Sequence, residues 1–408
     1  MSEKRTILVL GASYAGLGVA HYILKHIIPK LLKESGVAYK LILVAPSTKF
    51  QQRHASPRAI ISDDLIPFDK FMLDIEPEFK QYGDAFQFIH GAATAWDPTA
   101  RTVTIQRVGQ PSAPETASYY ALILATGSKT YSPLFSNWGT DYTDTTSAVE
   151  AFRQQLKTAK SIVITGGGPT SVETAGGIGE YLNGAAGWFS SRPAHPKAKI
   201  TLVTKSDKLL PMLRKSIAAQ AEVYLNRVGV DVRYGTEVAS SRSSANGKTI
   251  VVFHNGEELE TDIYIPAVGV TPLSAYIPDG LKNEQGYLKQ NNETLRVDAA
   301  GPRVYAIGDV GTASRNTIVD VKDETPVLAS NLQKDLMSAP GADRKFQPGP
   351  SEMQVVPVGR SKGVGAAFGW RIPSFAVWLI KGRDYMLWAG EQTVTGSKFN
   401  KEDQWQGA

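Results

Sequence analysis

The chain has 408 residues, 42% of them hydrophobic, which is enough to bury a large core and to form two or three domains. Its net charge is +5 without a block of five or more Lys or Arg residues, so we do not expect a nucleic-acid partner. The absence of cysteine excludes disulfides, thiolate nucleophiles and a redox-active dithiol in this chain.

Neither a metal site nor a membrane span is expected from the sequence. The six histidines show no metal-binding spacing. The N-terminal residues resemble neither a signal peptide nor a transit peptide, and no apolar run reaches the length needed to cross a bilayer. We therefore expect a cytoplasmic protein.

The first predicted element is a strand that ends in a glycine turn. The apolar run Ile7–Leu10 stops at Gly11, and helical periodicity begins at Gly16. In a dinucleotide-binding turn, the first glycine permits the tight bend and the last lets the helix pack closely on the strand. Ser13 replaces the usual middle glycine. The candidate pyrophosphate-binding residues are Gly11, Ala12, Ser13, Tyr14, Ala15 and Gly16, whereas an ordinary strand–turn–helix is the alternative.

The helix is predicted to run to Lys33 with a kink at Pro29, and the second strand ends at Ala45 and Pro46. A ribose-binding acid is usual at this strand end, so its absence leaves Ser47, Thr48 or Lys49 as substitute donors.

The next polar stretch contains two arginines, Arg53 and Arg58, that are candidates to bind a pyrophosphate or to cover the edge of a flavin. The alternative is surface charge on a loop. We expect His54, between them, to be structural or exposed to solvent.

A meander over residues 86–105 precedes a buried strand that begins at Ala121 and is expected to return beside the first strand. Small residues there would let the backbone approach a cofactor. The candidate contacts are Ala93, Ala125, Thr126 and Gly127.

The same pattern then repeats, which predicts a second unit and a second nucleotide. A strand over residues 161–165 is followed by a glycine turn with Gly166, Gly168, Pro169, Thr170 and Ser171, and then by a helix that carries Glu173. The next strand ends at Thr204 and Lys205, where a lysine suits a 2′-phosphate and is otherwise simply solvated. A second return strand ends at Gly269.

A later strand ends in Gly308 and Asp309, where the acid suits a polyol such as a ribitol chain or caps a following helix. Trp188 and Phe189 lie in an inserted loop, where covering a core edge is favoured over forming a contact surface. In the tail, Phe375 and Trp378 lie on a predicted helix, where core packing is favoured over a substrate entrance or a membrane contact.

Seven motifs occur in the same order in a known family: G-A-S-Y-A-G, S-P-R-A-I, L-A-T-G-S, G-G-G-P-T-S-V-E, P-A-V-G-V-T-P, Y-A-I-G-D-V and K-G-R-D. The chain thereby resembles the FAD/NAD(P)-dependent, pyridine nucleotide-disulfide oxidoreductase-like flavoproteins with two dinucleotide-binding domains. Within them it resembles apoptosis-inducing-factor-like proteins of the mitochondrion-associated and ferroptosis-suppressor type, especially fungal members.

The resemblance implies an α/β fold with two Rossmann-like three-layer ββα domains and a small C-terminal α+β segment. The implied domains are an FAD-binding domain (1–145 and 273–340), an NAD(P)-binding domain (146–272) and a C-terminal segment that covers the flavin (341–408). FAD would lie in the first unit, on Gly11, Ser13, Gly16 and Asp309, and NAD(P)H in the second, on Gly166, Gly168 and Ser171. Glu173 and Lys381 would be the catalytic pair beside the flavin.

The resemblance implies an NAD(P)H oxidoreductase of the quinone reductase type, which acts on a small apolar or quinone-like substrate. Departures from the family pattern at Ala45, Ser171, Gly177 and Leu273 keep two alternatives open: a secondary-metabolism oxidase or cyclase that uses FAD without NAD(P)H, and a non-enzymatic signalling flavoprotein. Peripheral membrane contact through the C-terminal segment is a further expectation, with the protein a monomer or a homodimer.

Overall fold

The computed structural model describes residues 4–109, 113–138, 140–349 and 352–403. Within them the strands are β1 (Arg5–Leu10), β2 (Tyr39–Ala45), β3 (Lys49–Gln51), β4 (Met72–Asp74), β5 (Phe86–Asp97), β6 (Thr102–Arg107), β7 (Glu115–Ser118), β8 (Ala121–Leu124), β9 (Ser128–Lys129), β10 (Ser161–Thr165), β11 (Lys199–Val203), β12 (Val230–Arg233), β13 (Val238–Ser243), β14 (Thr249–Phe253), β15 (Glu258–Thr261), β16 (Ile263–Pro266), β17 (Thr271–Pro272), β18 (Val304–Ala306), β19 (Gln354–Val358), β20 (Lys362–Ala367) and β21 (Trp370–Arg371).

The α-helices of the described residues are α1 (Tyr14–Tyr22), α2 (Ile28–Ser35), α3 (Ser56–Ala59), α4 (Phe68–Phe71), α5 (Glu76–Phe79), α6 (Tyr142–Thr158), α7 (Pro169–Asn183), α8 (Lys215–Asn226), α9 (Ile318–Met337), α10 (Ser374–Val377) and α11 (Leu387–Val394). Two π-helical turns cover Ile23–Ile27 and Trp378–Gly382, and short 3₁₀ turns cover Arg53–Ala55, Lys80–Ala85, Asp279–Leu281, Asp298–Ala300 and Ser397–Phe399.

A seven-stranded sheet with the order β18-β8-β1-β2-β5-β6-β7 forms the first unit. Its pairs from β18 to β5 are parallel, and β5, β6 and β7 form the antiparallel meander. The predicted return of Ala121 beside the first strand is confirmed, since Ile7 pairs with Ala121. Strand β18 returns the chain to this sheet after the second unit.

The second unit repeats this design. Its four-stranded sheet has the order β12-β11-β10-β16 with parallel pairs, and an antiparallel meander, β13-β14-β15, stands beside it. The predicted α/β fold with Rossmann-like sheets is therefore confirmed. The boundaries proposed at residues 145, 272 and 340 stay predictions.

The first long helix is interrupted just before Pro29, the position at which a kink was predicted. A π-helical turn over Ile23–Ile27 separates α1 from α2, and Pro29 lies in the first turn of α2. Because a proline ring clashes with the carbonyl four residues earlier, the backbone widens ahead of it, and the Ile28 N–H bonds the Ile23 carbonyl five residues back. Gly36 ends α2 with φ +67°, as predicted.

The C-terminal three-stranded sheet β19-β20-β21 packs on the second unit. Val356, Val358, Val364 and Ala366 belong to the same apolar cluster as α7 and α8. Glycines on α7 permit this approach, because a Cβ on Gly176 would lie 2.8 Å from the Val358 side chain. The departure at Gly177 has a similar cause: a Cβ there would lie 2.7 Å from Ile61.

A helix follows Asp309 after a short stretch of mostly small residues, as expected, but Asp309 is not its cap: α9 begins at Ile318 and its cap is Thr317, whose hydroxyl accepts the Asp320 N–H. Two other expectations are wrong. Trp188 and Phe189 do not cover a core edge, because they are 90% and 99% exposed. Phe375 and Trp378 are also exposed, since Val377 occupies the inward face of their helix.

Among the described residues, no helix is both long enough and apolar enough to cross a membrane. The same residues contain no group of three or more His, Asp or Glu side chains that is arranged to hold a metal ion.

Candidate cofactor and redox site

A cavity of about 710 Å³ lies at the carboxyl ends of the parallel strands of both sheets. Ligands of open α/β sheets bind at this edge. The predicted residues that line it are Gly11, Ala12, Ser13, Tyr14, Ala15, Ala45, Pro46, Lys49, Arg53, Ala125, Thr126, Gly127, Gly168, Pro169, Thr170, Gly269, Gly308 and Asp309. The first glycine turn and the start of α7 in the second unit therefore open onto one space.

The first glycine turn has the close packing that a dinucleotide cradle requires. Gly11 has φ +105°, and a Cβ on it would lie under 3.0 Å from the Ala125 carbonyl. A Cβ on Gly16 would collide with the Gly11 carbonyl, which explains why Gly16 packs beneath the turn and does not line the cavity. Ser13 is the N-cap of α1, and its side chain makes no capping bond. The first N–H groups of α1 thus face the cavity, where they suit a pyrophosphate.

An acid stands at the end of β18, where a polyol would pass. The Asp309 carboxylate accepts a hydrogen bond of 2.7 Å from the Ser128 hydroxyl and lies 3.8 Å from the Arg53 guanidinium. Arg53 also donates to the Ser128 carbonyl at 3.2 Å. These contacts hold Asp309 and Arg53 together in the cavity wall, so the residues present fit a flavin dinucleotide.

The position beyond β2 lacks the ribose acid, as the sequence indicated. Ser47 is occupied within its own turn, because its hydroxyl donates to the Lys49 carbonyl at 2.7 Å and accepts the Lys49 N–H. Lys49 lines the cavity and forms an ion pair of 2.7 Å with Asp74. Ser47 and Lys49 both line the cavity, but only the Lys49 side chain still offers a hydrogen-bond donor to a ribose.

Sequence reasoning missed Glu324, a buried acid beneath the end of β18. One of its oxygens accepts the Gly308 N–H at 2.9 Å, and the other is buried without a partner among the described residues. Burial, followed by the charges of nearby aspartates, raises the pKa of Glu324 to about 7. Glu324 could have been identified from the sequence, because it falls among the apolar positions of the helix that becomes α9, where an acid is unusual.

The second glycine turn is as tight as the first, but it has a serine at its third position. Gly166 has φ +124°, and a Cβ on it would collide with the Ala267 carbonyl. Ser171 is fully buried, and its hydroxyl donates to the Gly168 carbonyl at 2.8 Å. Gly166 and Ser171 are therefore packed behind the turn, while Gly168 has open space around it.

The end of β11 is not part of the cavity lining. Thr204 is buried beneath the second turn, where its Oγ1 would lie 2.7 Å from a Cβ on Gly167. Lys205 is exposed and forms an ion pair of 3.2 Å with Glu237. The structure thus brings neither residue into contact with the cavity.

Glu173 and Lys381, 208 residues apart, form a buried ion pair. The Lys381 Nζ donates to Glu173 Oε1 at 2.5 Å, and the Glu173 side chain is buried. Burial raises the pKa of Glu173, and the charges of Lys381 and Arg58 oppose this shift. The pair does not line the cavity. However, the pair is close to His54, which lines the cavity, and the Lys381 charge lowers the pKa of His54.

His54, for which we expected a structural or solvent-exposed position, has structural hydrogen bonds in the cavity wall. It lines the cavity, and its Nδ1 lies 2.5 Å from the Tyr14 hydroxyl, while its Nε2 lies 3.3 Å from the Met386 carbonyl. Burial and the Lys381 charge lower the pKa of His54 to about 4, so the imidazole is neutral at neutral pH. No local sequence pattern predicts this contact between α1 and the 3₁₀ turn over residues 53–55.

The structure does not bring two further predicted residues to the cavity. Ala93 lies in β5, where its side chain packs against an apolar cluster. Arg58 is buried instead under the C-terminal segment, where it donates to the Gly382 carbonyl at 2.5 Å and to the Gly359 carbonyl at 2.9 Å. Its guanidinium also stacks on Tyr385. Arg58 therefore ties α3 to the tail and does not line the cavity.

Arg58→Met is expected to lower the free energy of unfolding by about 2–4 kcal/mol, because it leaves two buried carbonyl groups without their charged donor. Urea denaturation of the purified protein measures this loss. The matched control is Arg360→Met, since Arg360 is exposed beside the same turn and its loss is expected to change stability by about 0.5 kcal/mol or less. Equal effects of the two changes would contradict the tethering role of Arg58.

Comparisons with known proteins identify a sequence family, related fungal proteins and a solved structure of similar fold. The family profile described as pyridine nucleotide-disulphide oxidoreductase matches residues 5–342. The chain is 44% identical over 415 residues to Oxidoreductase phnG of Penicillium herquei, covering 98% of each chain. It is 30% identical to Oxidoreductase ptaL of Pestalotiopsis fici, covering 92% of this chain and 95% of the relative. Its fold is similar to that of the sulfide:quinone oxidoreductase of Aquifex aeolicus, with a TM-score of 0.69 at 15% identity over 95% of this chain and 92% of the other.

Proposed function

Because this chain belongs to the pyridine nucleotide-disulphide oxidoreductase family, whose members bind FAD and NAD(P)H, we propose that it is an FAD-dependent oxidoreductase that uses NAD(P)H to reduce a quinone-like or other apolar acceptor. The chain has no cysteine, so it cannot itself perform the thiol–disulfide exchange that gives the family its name. The acceptor would therefore receive its electrons without a protein dithiol.

The observation that supports this proposal is the shared cavity. The first glycine turn and the N-terminus of α7 line the same space, so two dinucleotides bound at the two turns would meet there. When bound, FAD supplies the two-electron redox chemistry that the side chains of this protein lack.

The protein's own residues would bind and orient the flavin and provide charge close to it. The N–H groups at the start of α1 would hold the pyrophosphate of FAD, and Asp309, fixed by Ser128 and Arg53, would hold its ribitol hydroxyls. The Lys381 ammonium places a positive charge behind the cavity wall, where it favours an anionic state of a bound group. The Glu173 carboxylate accepts a hydrogen bond from that ammonium and thereby fixes its position.

Anaerobic titration of the FAD-loaded protein with NADH and, separately, NADPH tests the proposal. We expect about one equivalent of at least one nucleotide to bleach the flavin absorbance, because the two sites share one cavity, and we expect a quinone to restore it. Free FAD under the same conditions is the control. Bleaching by dithionite but by neither nucleotide would contradict the use of NAD(P)H.

The second candidate function is an FAD-dependent oxidase or cyclase that does not need NAD(P)H. The packing of the second turn favours it, because the Gly167 carbonyl already accepts the Leu210 N–H at 2.6 Å and Thr204 fills the space above Gly167. In that case the substrate itself would bleach the flavin anaerobically, and NAD(P)H would leave the rate of turnover unchanged.

A further inference from the structure

One buried acid behind the cavity wall has no role in the proposed function. Glu324 lies in the second turn of α9 and is fully buried. Its Oε2 accepts the Gly308 N–H at 2.9 Å, whereas its Oε1 is buried and has no hydrogen-bond partner within the described residues. An ionised carboxyl group in this position leaves one charged oxygen without solvation, which is costly unless the group takes up a proton.

Glu324 supports the turn at which the two parts of the candidate FAD site meet. Gly308 follows β18 with φ +73°, and a Cβ on it would lie 3.2 Å from the Ala15 side chain in the first turn of α1. Ala15, Gly308 and Asp309 all line the cavity. The buried acid therefore lies directly behind the place where the predicted pyrophosphate-binding turn contacts the predicted ribitol-binding segment.

The charges that act on Glu324 disfavour its ionised form. Burial raises the pKa of its carboxyl group, and the charges of three aspartates raise it further: Asp320, Asp309 and Asp323. Arg315 forms an ion pair of 2.5 Å with Asp320, and Arg53 lies 3.8 Å from Asp309. Glu324 itself has no ion pair within the part of the chain that the structure describes. The two arginines therefore serve the aspartates and not the buried acid.

The other ionisable groups around this turn of α9 do not supply a counter-charge. Tyr14 and His21 lie on α1, which packs on α9. Burial raises the pKa of Tyr14 and lowers the pKa of His21 to about 4, so both are neutral at neutral pH. Lys322 and Lys398 line a second hollow together with Asp323, and Glu324 does not line it. Their charges therefore act on Asp323 before they reach the buried acid.

We propose that Glu324 takes up a proton when FAD binds, so that the retention of FAD depends on pH. A pyrophosphate held at the first turn places negative charge on the other side of the Gly308 segment. An ionised Glu324 repels that charge and weakens the positive potential at the start of α1, whereas a protonated Glu324 does neither. Glu324 is thus a positioning residue, since it acts through the Gly308 turn.

The direction of the pH dependence follows from these charges. Burial raises the pKa of Glu324 to about 7, although the Gly308 N–H opposes the shift. The negative charge of a bound pyrophosphate raises this pKa further. Between the two pKa values the FAD-bound protein carries more protons than the free protein, so the affinity for FAD falls as the pH rises. Below about pH 6 the acid is protonated in both forms, and the affinity becomes independent of pH.

Dissociation of FAD from the loaded full chain, followed by the fluorescence of the released flavin, tests this inference, which rests on the proposed placement of FAD at the first turn. We expect the dissociation constant of the wild type to rise about tenfold between about pH 6 and about pH 9. Glu324→Gln keeps an acceptor for the Gly308 N–H but has no charge, so its dissociation constant should stay nearly constant over this range. A wild-type dissociation constant that does not change with pH would overturn the inference and leave the proposed function intact. A chain that binds no FAD would overturn both.

Two further measurements separate protonation from a purely structural role. Asp323→Asn removes a less buried acid from the next position and is expected to keep the pH dependence of the wild type. At about pH 8, the infrared spectrum of the FAD-loaded wild type should contain the carbonyl stretch of a protonated carboxyl group that is missing from Glu324→Gln. Absence of this band would overturn the inference. So would a loss of affinity by the same factor at every pH in Glu324→Gln, because the side chain would then only support the Gly308 turn.

Discussion

Gly16→Ala is expected to produce a protein that does not retain FAD. A Cβ at this position would collide with the carbonyl oxygen of Gly11, and both residues are fixed by packing, Gly11 against Ala125 and α1 against the core. The collision can be relieved only by moving the start of α1 away from the turn, which costs about 1–3 kcal/mol or more. Because about 1.4 kcal/mol corresponds to a tenfold change, the affinity for FAD is expected to fall at least about tenfold.

The ratio of flavin absorbance to protein absorbance after gel filtration measures this loss. Gly187→Ala is the neutral control, because an added Cβ there meets no atom within 4 Å. Gly168→Ala is the informative comparison. It also has open space and a negative φ, so we expect it to keep FAD and to lose affinity for NAD(P)H by crowding the second turn. Stoichiometric FAD in Gly16→Ala would show that the turn has another way to relax.

The two glycine turns were predictable because their requirements are local. Gly11 and Gly166 both adopt a positive φ at the end of a buried parallel strand, and this conformation leaves a recognisable order of residue types in the sequence. The internal repeat then predicted two sheets of the same design. Asp309 was also recognised from a local pattern, a strand that ends in Gly-Asp, although its partner Ser128 was not.

The rest of the site depends on contacts between distant segments, which no local pattern encodes. Tyr14 meets His54 across the cavity wall, and Arg58 reaches two carbonyl groups of the tail more than 300 residues later. Only the resemblance to a family, and no property of the residues themselves, put Glu173 beside Lys381. For the tail, helical spacing predicted an apolar face of Ile372, Phe375, Ala376, Leu379 and Ile380 packed on the core, but Val377 is the residue that is buried, because spacing does not state whether an apolar face points inward or outward.

The second unit differs from the first in what surrounds its turn. The first turn opens onto the cavity, and its N-cap residue, Ser13, makes no side-chain capping bond. In the second turn, Ser171 occupies the third position and the Gly167 carbonyl accepts the Leu210 N–H. Both turns still contribute to the one cavity, so the chain combines an open first turn, where FAD would bind, with a more restricted approach for the nucleotide that would reduce it. For this reason the titration with NADH and NADPH decides between the two candidate functions.

Lys381→Met is expected to lower both turnover and stability. Removal of the ammonium leaves Glu173 as a buried carboxylate whose remaining cationic neighbour, Arg58, already serves two carbonyl groups. Breaking a buried pair from one side typically costs about 3–5 kcal/mol, unless the acid takes up a proton. We expect kcat to fall about 100-fold, since a positioned charge and its proton are lost together behind the cavity wall.

The pH dependence of the variant's stability is the decisive measurement. Burial already raises the pKa of Glu173 above 4.5 in the folded protein, and loss of Lys381 raises it further. Between the unfolded and folded pKa values the native state binds more protons than the unfolded state, so stability falls as the pH rises through that window. The deficit of Lys381→Met relative to wild type should therefore be larger at about pH 8 than at about pH 6 in urea denaturation.

The double variant Lys381→Met/Glu173→Gln separates the functional role of the pair from its structural role. With the acid neutralised, no uncompensated charge remains, so we expect most of the lost stability to return and the extra pH dependence of Lys381→Met to disappear. Turnover should stay at the level of Lys381→Met if the charge acts on the redox chemistry in the cavity. If turnover recovers along with stability, the pair serves only to hold the tail against α7, and the electrostatic role assigned to Lys381 is wrong.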